Sequence, residues 1–312
     1  MKITIIEPIG ASQEKIDEFS NYLKNLNHEL ITYDSRPTID EEIIKRASDS
    51  DVIVVSNLPL NSNVISACQN LKMISVAFTG FDHIDLSVCK EKNIVVCNSS
   101  GYSTDSVAEL SIGLMISVLR KIVWGDNKIR ELSTREGFLG TELKGKTVGV
   151  IGTGAIGVRA IELLNVFGCK VIAYSRTKKP GINYVELDEL MSKSDIVTLH
   201  VPLNDETKHM INKERLDLMK PNAIVINTAR GQVIDNDALA DVLINKKIAG
   251  AGLDTVDMEP PLPKDYKLLD APNTVIIHHI GYATYEALSI RTDIVFENIK
   301  KYFDEDFQNR VA

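Results

Sequence analysis

Apolar and polar positions alternate along the first hundred residues in two repeating forms. Short runs rich in β-branched residues, such as KITIIE (2–7) and DVIVVS (51–56), predict buried strands. KMISVAF (72–78) and NIVVCN (93–98) are further runs of this kind. Between them, SQEKIDEFSNYLKNL (12–26) has its apolar residues at helical spacing. Strands that alternate with helices predict a parallel sheet covered by helices.

One long apolar segment interrupts this alternation, which then starts again. TDSVAELSIGLMISVLRKI (104–122) predicts a buried helix, which packs either between domains or at a subunit contact. The segment after Tyr285 predicts a helix that returns to the first domain. The strand-like runs between them are KTVGVIG (146–152), KVIAYS (170–175), DIVTLH (195–200), AIVINT (223–228), AGAGLD (249–254) and TVIIHH (274–279). We therefore predict an α/β protein with two doubly wound, parallel-sheet domains.

Composition excludes several functional classes. The chain has 312 residues, of which 44% are hydrophobic and 25% charged, as in ordinary globular proteins. Its net charge of −8 and the lack of a basic run argue against nucleic acid and anionic membranes as partners. The N-terminus lacks the apolar core of a signal peptide, and no run approaches the length of a membrane span. The four cysteines lack the spacing of a metal or redox motif, so we expect free thiols and a cytoplasmic location.

GTGAIG (152–157) follows a strand-like run and opens a helical one, which is the setting that gives a GxGxxG motif its meaning. Gly152 makes the tight turn, Gly154 lets the backbone approach a pyrophosphate, and Gly157 lets the helix pack close to the strand. The backbone amides of Ala155 and Ile156 would point at the phosphates. The motif predicts a dinucleotide site.

The end of the next strand decides between NAD and NADP. An acidic residue that binds the ribose 2′-hydroxyl is expected there, but AYSRTKK (173–179) has Ser175, followed by Arg176 and Thr177. The missing carboxylate removes repulsion against a 2′-phosphate, and Arg176 with Lys178 could pair with one. The pattern favours NADP over NAD. Alternatively these are solvated loop charges and NAD still binds.

Seven segments in order along nearly the whole chain resemble the D-isomer-specific 2-hydroxyacid dehydrogenases, a family that includes glycerate dehydrogenase, hydroxypyruvate/glyoxylate reductase, D-lactate dehydrogenase and phosphoglycerate dehydrogenase. The segments are FTGFDHIDL (78–86), GYSTDSVAEL (101–110), GKTVGVIGTGAIG (145–157), LHVPLNDET (199–207), NTARGQVID (227–235), GLDTVDMEPP (252–261) and HHIGYAT (278–284). The resemblance implies a flavodoxin-like substrate domain of residues 1–101 with 288–312, and a Rossmann domain of residues 102–287 that binds NAD(P). It also implies an active-site cleft between the domains and a homodimer.

The resemblance assigns catalysis to Arg230, Glu259 and His279, although His278 stands where the family usually has proline. An imidazolium can give a proton to the alkoxide that forms when a 2-keto acid accepts hydride. A carboxylate beside the imidazole, Glu259 before Pro260, would orient it and favour its charged form. Arg230 would hold the substrate carboxylate and polarise the carbonyl. Taken singly, each of these residues is more often structural.

Further residues match the family less strongly. Thr79 and Gly80 would offer amides to the substrate carboxylate, or simply form a tight turn, and His83 we interpret as structural. Thr104 would lie near the cofactor, or serve only as a helix N-cap. Asp254 would accept from the nicotinamide carboxamide, or cap a loop. The remaining cofactor positions would be His200, Val201, Pro202, Thr207, Thr228, Ala229 and Gly281.

The sequence favours a small, unphosphorylated keto acid. The loop VVSNLPLNSN (54–63) has no Lys or Arg for a phosphate, and we expect no additional regulatory domain. These two observations favour hydroxypyruvate, glyoxylate or pyruvate as substrate. Ser56 and Asn57 would suit a hydroxyl group, which favours hydroxypyruvate/D-glycerate. Two other functions stay open: a D-lactate-type or branched-chain 2-keto acid reductase, and a non-catalytic dinucleotide-sensing protein like some corepressors. A metal-dependent oxidoreductase would need a ligand cluster that the sequence does not suggest.

Overall fold

The computed structural model describes residues 1–258 and 261–312. It divides into two compact units, Met1–Ser103 with Ala283–Ala312 (unit 1) and Thr104–Tyr282 (unit 2). The sequence placed the boundaries at 101/102 and 287/288. In the structure the second division precedes Thr284, the N-cap of the last helix, so the whole helix belongs to unit 1.

The described residues form eleven strands and eleven α-helices, which alternate along most of the chain. The strands are β1 (Lys2–Ile5), β2 (Glu29–Thr32), β3 (Val52–Val55), β4 (Met73–Val76), β5 (Val95–Cys97), β6 (Thr147–Ile151), β7 (Lys170–Tyr174), β8 (Ile196–Leu199), β9 (Ile224–Asn227), β10 (Gly250–Leu253) and β11 (Thr274–Ile276). The α-helices are α1 (Gln13–Asn25), α2 (Asp40–Ala47), α3 (Ser62–Ala67), α4 (Leu86–Glu91), α5 (Thr104–Leu119), α6 (Ile122–Arg130), α7 (Ala155–Val166), α8 (Leu187–Lys193), α9 (Lys213–Asp217), α10 (Asn236–Ile244) and α11 (Tyr285–Phe303).

Unit 1 is a parallel sheet with the strand order β2-β1-β3-β4-β5 among the described residues. All four residues of β3 and all four of β4 are buried, as expected for β-branched and apolar runs in the middle of a parallel sheet. Phe19 and Leu23 of α1 and Val295 and Ile299 of α11 complete one core with β1 and β3. These contacts bury the apolar faces of the two helices.

Unit 2 is a parallel sheet of the order β11-β10-β9-β8-β6-β7, again within the described part of the chain. The register pairs Val148 of β6 with Val171 of β7 and with Ile196 of β8. One core lies on the side of α5 and α7, and another contains the buried residues of α8 and α10. Both faces of the sheet are therefore covered by helices, and the predicted fold class is confirmed.

The apolar segment 104–122 forms a helix that ends earlier than the pattern predicts. α5 ends at Leu119, and Lys121 has a left-handed φ of 53° from which α6 starts in a new direction. The apolar side chains Leu114, Met115 and Val118 pack in the unit 2 core. The apolar character of α5 is thus explained by packing within unit 2. None of the helices in the described ranges has the length and hydropathy that crossing a membrane requires.

Candidate active site

The strands of unit 2 are parallel, so their carboxyl ends lie at one edge of the sheet. Gly152 follows β6, Ser175 follows β7, and His200 follows β8. Thr228 and Asp254 follow β9 and β10 in the same way. The strand order reverses between β6 and β8, and sheets of this kind bind ligands in the crevice at such a reversal.

The glycine loop has the geometry that the motif predicts. Gly152 has a φ of 94°, and a Cβ there would lie 2.4 Å from the carbonyl oxygen of His200. A Cβ on Gly157 would lie 1.9 Å from the carbonyl oxygen of Gly152, so only glycine permits this approach of helix to strand. Around Gly154, the N-cap of α7, a Cβ would meet no atom within 4 Å. The first-turn amides, including those of Ala155 and Ile156, lack helical acceptors by position and can bind an anion.

Buried polar atoms at this edge also fit a bound dinucleotide. Thr228 is 9% exposed, and its hydroxyl has no partner among the residues that the structure describes. His200 bonds the hydroxyl of Thr198 through Nε2 at 3.0 Å. Burial lowers the pKa of His200 to about 4, so the ring is neutral near pH 7. Three features suit a ligand that contains a pyrophosphate: the open space around Gly154, the backbone amides in the first turn of α7, and the Thr228 hydroxyl.

The loop after β7 is held on both sides. Tyr184 forms a β-bridge with Ala173, which closes the loop that contains Ser175 and Arg176. The Tyr184 hydroxyl lies 2.9 Å from the hydroxyl of Thr153 and accepts the backbone N–H of Lys179 at 2.9 Å. Thr153 also donates to the carbonyl oxygen of Thr177 at 3.3 Å. These bonds connect the predicted ribose loop to the glycine loop.

Arg176 has a neighbour that the sequence did not predict. Its guanidinium donates to Glu206 at 3.3 Å, and the two side chains are 84% and 75% exposed. Lys178 lies over the ring of Tyr184, 5.9 Å from its centroid. Such an exposed pair contributes little stability, so a 2′-phosphate could displace Glu206 from Arg176 at small cost.

Arg230 is positioned by the residues around it. Asn227, at the end of β9, accepts from Ala229 N at 3.0 Å and donates to the carbonyl oxygen of Arg230 at 2.9 Å. The Arg230 guanidinium donates to the carbonyl oxygen of Ala229 at 2.9 Å. A Cβ on Gly231 would lie 1.8 Å from the carbonyl carbon of Val256, so glycine is required there. Sequence reasoning missed the bracing by Asn227 and Gly231, although both lie in the N-T-A-R-G motif.

Asn236 and Tyr266 support the same segment. Asn236 donates to the carbonyl oxygens of Gly231 at 3.0 Å and Ile234 at 2.9 Å. The Tyr266 hydroxyl donates to Asp257 at 2.5 Å, and burial together with Asp257 raises the pKa of Tyr266 above its usual value. Both residues were missed because no local sequence pattern reports such a contact.

The two histidines of the sequence HHIG differ in environment. His278 is exposed, whereas His279 is partly buried and has its ring 6.0 Å from the ring of Tyr282, edge to face. His279 has a left-handed φ of 55°, and its N–H donates to the carbonyl oxygen of Asp254 at 2.8 Å. The catalytic role of His279 stays a prediction.

Asp254 holds the backbone that follows His279. Its two carboxylate oxygens accept the amides of Ile280 at 2.7 Å and Gly281 at 2.9 Å, and the residue is 2% exposed. A Cβ on Gly281 would lie 2.8 Å from the Asp254 carboxylate. The structure therefore gives Asp254 the role of a loop anchor, and its contact with a nicotinamide stays a prediction.

The other candidate positions follow the same pattern of loop-supporting bonds. The Thr207 hydroxyl donates to the carbonyl oxygen of Pro202 at 2.7 Å and accepts from Asn204 N at 2.8 Å. A Cβ on Gly152 would lie 2.8 Å from Cγ1 of Val201, and Thr104 is the first residue of α5.

Glu259 and Pro260 lie outside the described residues. No group of three or more His, Cys, Asp or Glu is gathered for a metal ion in residues 1–258 and 261–312.

In unit 1, the loops after β3 and β4 lie side by side. Ala77 N donates to the carbonyl oxygen of Val55 at 2.7 Å, and Asn98 donates to the carbonyl oxygen of Thr79 at 2.7 Å. Thr79 and Gly80 are partly buried, and the carbonyl oxygen of His83 accepts Leu60 N at 2.9 Å. This neighbourhood includes Glu7 and Arg36, which sequence reasoning did not select.

Known proteins resemble the chain closely. Residues 112–281 match the family model of the D-isomer specific 2-hydroxyacid dehydrogenase, NAD binding domain. A glyoxylate reductase of Thermofilum pendens is 38% identical over 87% of this chain and 84% of its own length. A hydroxypyruvate reductase of Thermotoga maritima is 39% identical over 90% of this chain and 92% of its own. The structure of an acyclic imino acid reductase in complex with NADPH and D-arginine superposes with a TM-score of 0.91 and 34% identity, over 100% of both chains.

The glycine loop, the strand-end residues and these similarities agree with the expectation from the sequence. A nicotinamide dinucleotide is the cofactor of the matched domain, and it fits the edge of unit 2 described above. The chain belongs to the D-isomer-specific 2-hydroxyacid dehydrogenase family and is an oxidoreductase of D-2-hydroxy acids.

Proposed function

We propose that this enzyme reduces a small, unphosphorylated 2-keto acid, with hydroxypyruvate or glyoxylate favoured. One observation carries the proposal: the glycine loop, Arg230 and His279 all follow parallel strands of one sheet at the edge where such sheets bind ligands. The relatives named glyoxylate reductase and hydroxypyruvate reductase support the choice of substrate.

A nicotinamide dinucleotide held by the glycine loop 152–157 would supply, in its reduced form, the hydride that the carbonyl carbon of the keto acid accepts. The residues of this chain then have separate tasks. His279 donates a proton to the carbonyl oxygen as it becomes an alkoxide, and takes it back in the reverse direction. Arg230 binds the substrate carboxylate and polarises the carbonyl. Glu259 orients the imidazole, and the amides of Thr79 and Gly80 bind the carboxylate as well.

We infer that NADP is favoured over NAD. Ser175 removes the repulsion that a carboxylate would exert on a 2′-phosphate, and Arg176 with Lys178 supplies positive charge. The bonds of Thr153 and Tyr184 support this inference because they hold the loop in shape before a ligand arrives. Among structures of similar fold, the imino acid reductase is in complex with NADPH and a D-lactate dehydrogenase of Aquifex aeolicus is in complex with NAD, so the inference rests on the residues of this loop.

Loss of reduced-nicotinamide absorbance tests the reaction and the cofactor together. Hydroxypyruvate, glyoxylate, pyruvate and 2-ketoisocaproate would each be offered with NADPH and with NADH. We expect the fastest turnover with hydroxypyruvate or glyoxylate and NADPH. Preference for pyruvate or the branched acid would favour the lactate-type or branched-chain reductase. Cofactor binding without turnover of any acid would favour the dinucleotide-sensing protein.

A second candidate function is reduction of a 2-imino acid, which the similarity to the imino acid reductase favours. The same assay distinguishes it when an amine is added to the keto acid. Faster oxidation of NADPH in the presence of the amine, with formation of an N-substituted amino acid, would identify this activity.

We also propose a homodimer and a cytoplasmic location. Exposed apolar side chains on and after α6 provide a surface that a second copy could cover, among them Trp124 at 45% and Ile129 at 64% exposure. The four cysteines are free thiols, which suits a reducing compartment. Fractionation of cells tests the location, and the mass in solution tests the dimer.

A further inference from the structure

We propose that Glu7 neutralises Arg36 at the loop after β3, and that this pair makes the enzyme discriminate against 2-keto acids with a second anionic group. The inference rests on the proposed reduction of 2-keto acids. It goes beyond that proposal because it names two residues, outside the motifs of the family, that set which charge the substrate side group can carry.

The pair lies where unit 1 would bind a ligand. The strand order β2-β1-β3 reverses at β1 and β3, and the crevice at such a reversal is the usual ligand site of an open α/β sheet. Glu7 follows β1, and Ser56, Asn57 and Leu58 follow β3. The bonds between Glu7 and this loop therefore cross the reversal itself.

Glu7 is a buried carboxylate with its oxygens fully engaged on the loop. It is 2% exposed, and Oε1 accepts the amides of Ser56 at 2.8 Å and Leu58 at 3.0 Å. Oε2 accepts from Nη1 of Arg36 at 2.9 Å. Charge-assisted bonds of this kind fix the backbone on both sides of Asn57.

Arg36 holds the residue in between. Its Nη1 donates to the side-chain oxygen of Asn57, and its Nη2 donates to the Asn57 carbonyl oxygen at 3.3 Å. Since Asn57 Oδ1 accepts from Arg36, the Nδ2 donors of the same amide point away from the guanidinium. Asn57 is exposed, so Nδ2 can donate to a hydroxyl group of a bound substrate.

The charge of Arg36 changes the interpretation of the loop. Residues 54–63 contain no Lys or Arg, yet the fold brings one guanidinium to Asn57 from outside the loop. A lone cation here would attract a phosphate or second carboxylate. The buried carboxylate of Glu7 balances the charge of Arg36. A substrate with a neutral hydroxymethyl group is therefore accepted, and a substrate with a second anionic group gains little binding free energy from Arg36.

The pair can act on substrate because it lies next to the loop proposed to bind the carboxylate. β3 and β4 are paired in register from Val52–Met73 to Val55–Val76, and Thr79 lies in the loop after β4. Leu60 and Ile84 form a β-bridge that joins the two loops again. A change in charge at Glu7 or Arg36 therefore lies beside the substrate and not in a remote part of unit 1.

Four proteins test the inference: the wild type, Glu7→Gln, Arg36→Gln and the double variant. For each, kcat/KM is measured for hydroxypyruvate and for 3-phosphohydroxypyruvate, at low and at high salt. We expect the wild type to prefer hydroxypyruvate. Glu7→Gln should raise the ratio of phosphorylated to unphosphorylated substrate about three- to fivefold, and Arg36→Gln should lower it. The double variant should return close to the wild-type ratio, and high salt should compress all the differences.

Charge and structure are separated by this design. If the pair had only a structural role, each variant would lower kcat/KM for both substrates together. The ratio of the two kcat/KM values would then not move in opposite directions in Glu7→Gln and Arg36→Gln. Asp51→Asn is the matched control, since Asp51 pairs with Lys72 at 2.6 Å just before β3, at the opposite edge of the same sheet. Its ratio should equal that of the wild type. If Glu7→Gln does not fold, Arg36→Gln decides alone, because the Arg36 side chain is 47% exposed.

The possible failures are distinguishable. Equal ratios in all folded variants, with normal reduction of hydroxypyruvate, overturn the inference and leave the proposed function intact. Equal use of both substrates by the wild type overturns it too. Turnover of no keto acid by the wild type overturns the proposed function and the inference together.

Discussion

His279 holds a backbone conformation that few residues other than glycine adopt. Its left-handed φ of 55° costs of the order of 1 kcal/mol or more, and such strain persists only where the surroundings enforce it. Asp254 enforces it here, because it accepts the N–H groups of His279, Ile280 and Gly281 through one carbonyl oxygen and two carboxylate oxygens. The bend separates a partly buried His279 from an exposed His278.

The histidine pair offers a matched test of the proton donor. His279→Ala should lower kcat by about 10²–10⁴-fold, because no other group then donates the proton directly. The dissociation constant for NADPH, measured by fluorescence, should change little. His278→Ala is the control and should keep most of its activity. Near-normal turnover of the His279 variant would show that another group is the acid.

His200 gives the fold a dependence on pH. Burial lowers its pKa from 6.5 to about 4, so the folded state keeps the ring neutral while the unfolded chain takes up a proton below pH 6.5. This contribution to stability is complete above pH 6.5 and is lost as the pH falls toward 4. Between pH 7.5 and 5 we expect a loss of about 1 kcal/mol, a value reduced because His200 is only partly buried.

Urea unfolding of the wild type and of His200→Gln at these two pH values measures the effect. The variant should lose less stability than the wild type over the same interval. His278→Gln controls for the removal of a histidine from the surface. Parallel losses in the wild type and His200→Gln would assign the acid sensitivity to other groups, such as Asp195, whose pKa Lys220 lowers by a hydrogen bond against the effect of burial.

At the scale of elements, local patterns predicted ten of the eleven described strands to within three residues at each end, missed β2, and predicted the contacts between loops poorly. The positive φ at Gly152 and the close approach at Gly157 follow from the motif because each depends on the backbone within a few residues, and the contact of Gly154 with a pyrophosphate stays a prediction. Glu7 and Arg36 were not predicted because their partner loop lies 49 and 21 residues further along the chain, and only the folded sheet brings it near. The predicted helix 104–122 ran past the end of α5 because the pattern does not report the left-handed conformation of Lys121, and α6 was not predicted.

The loop after β7 allows a test of cofactor choice. Ser175→Asp should shift the ratio of the dissociation constants for NADP⁺ and NAD⁺ at least about tenfold toward NAD⁺, because the new carboxylate repels a 2′-phosphate and can accept from a 2′-hydroxyl. Calorimetry measures both constants without turnover. Ser192→Asp, on the exposed side of α8, adds the same charge elsewhere in unit 2 and should leave the ratio unchanged. An unchanged ratio in Ser175→Asp would contradict the proposed contact.

For the whole molecule, both units bury the apolar residues of their strands in the same way. Each has a parallel sheet whose strands contribute apolar residues to a core shared with helices. The alternation in the sequence therefore predicts both sheets, since burial on two faces demands continuous apolar runs. The alternation does not predict which exposed apolar residues another subunit covers. Only the folded structure shows which apolar residues remain outside the core.

The proposed homodimer follows from those exposed residues. Ile129 is 64% exposed and Leu132 is 91% exposed, and the rings of Trp124 and Phe138 stack on each other in the same segment of the chain. Ile129→Glu should weaken association, because a carboxylate cannot be buried there without a partner. Light scattering after size exclusion should show a larger monomer fraction at micromolar concentration than for the wild type.

Ile39→Glu, at a site of 57% exposure in unit 1, controls for an added surface charge and should keep the wild-type mass. If the wild-type protein has the mass of a monomer, about 34.6 kDa, the proposed homodimer is wrong. If the Ile129→Glu variant is still a dimer, the interface does not include Ile129 of α6.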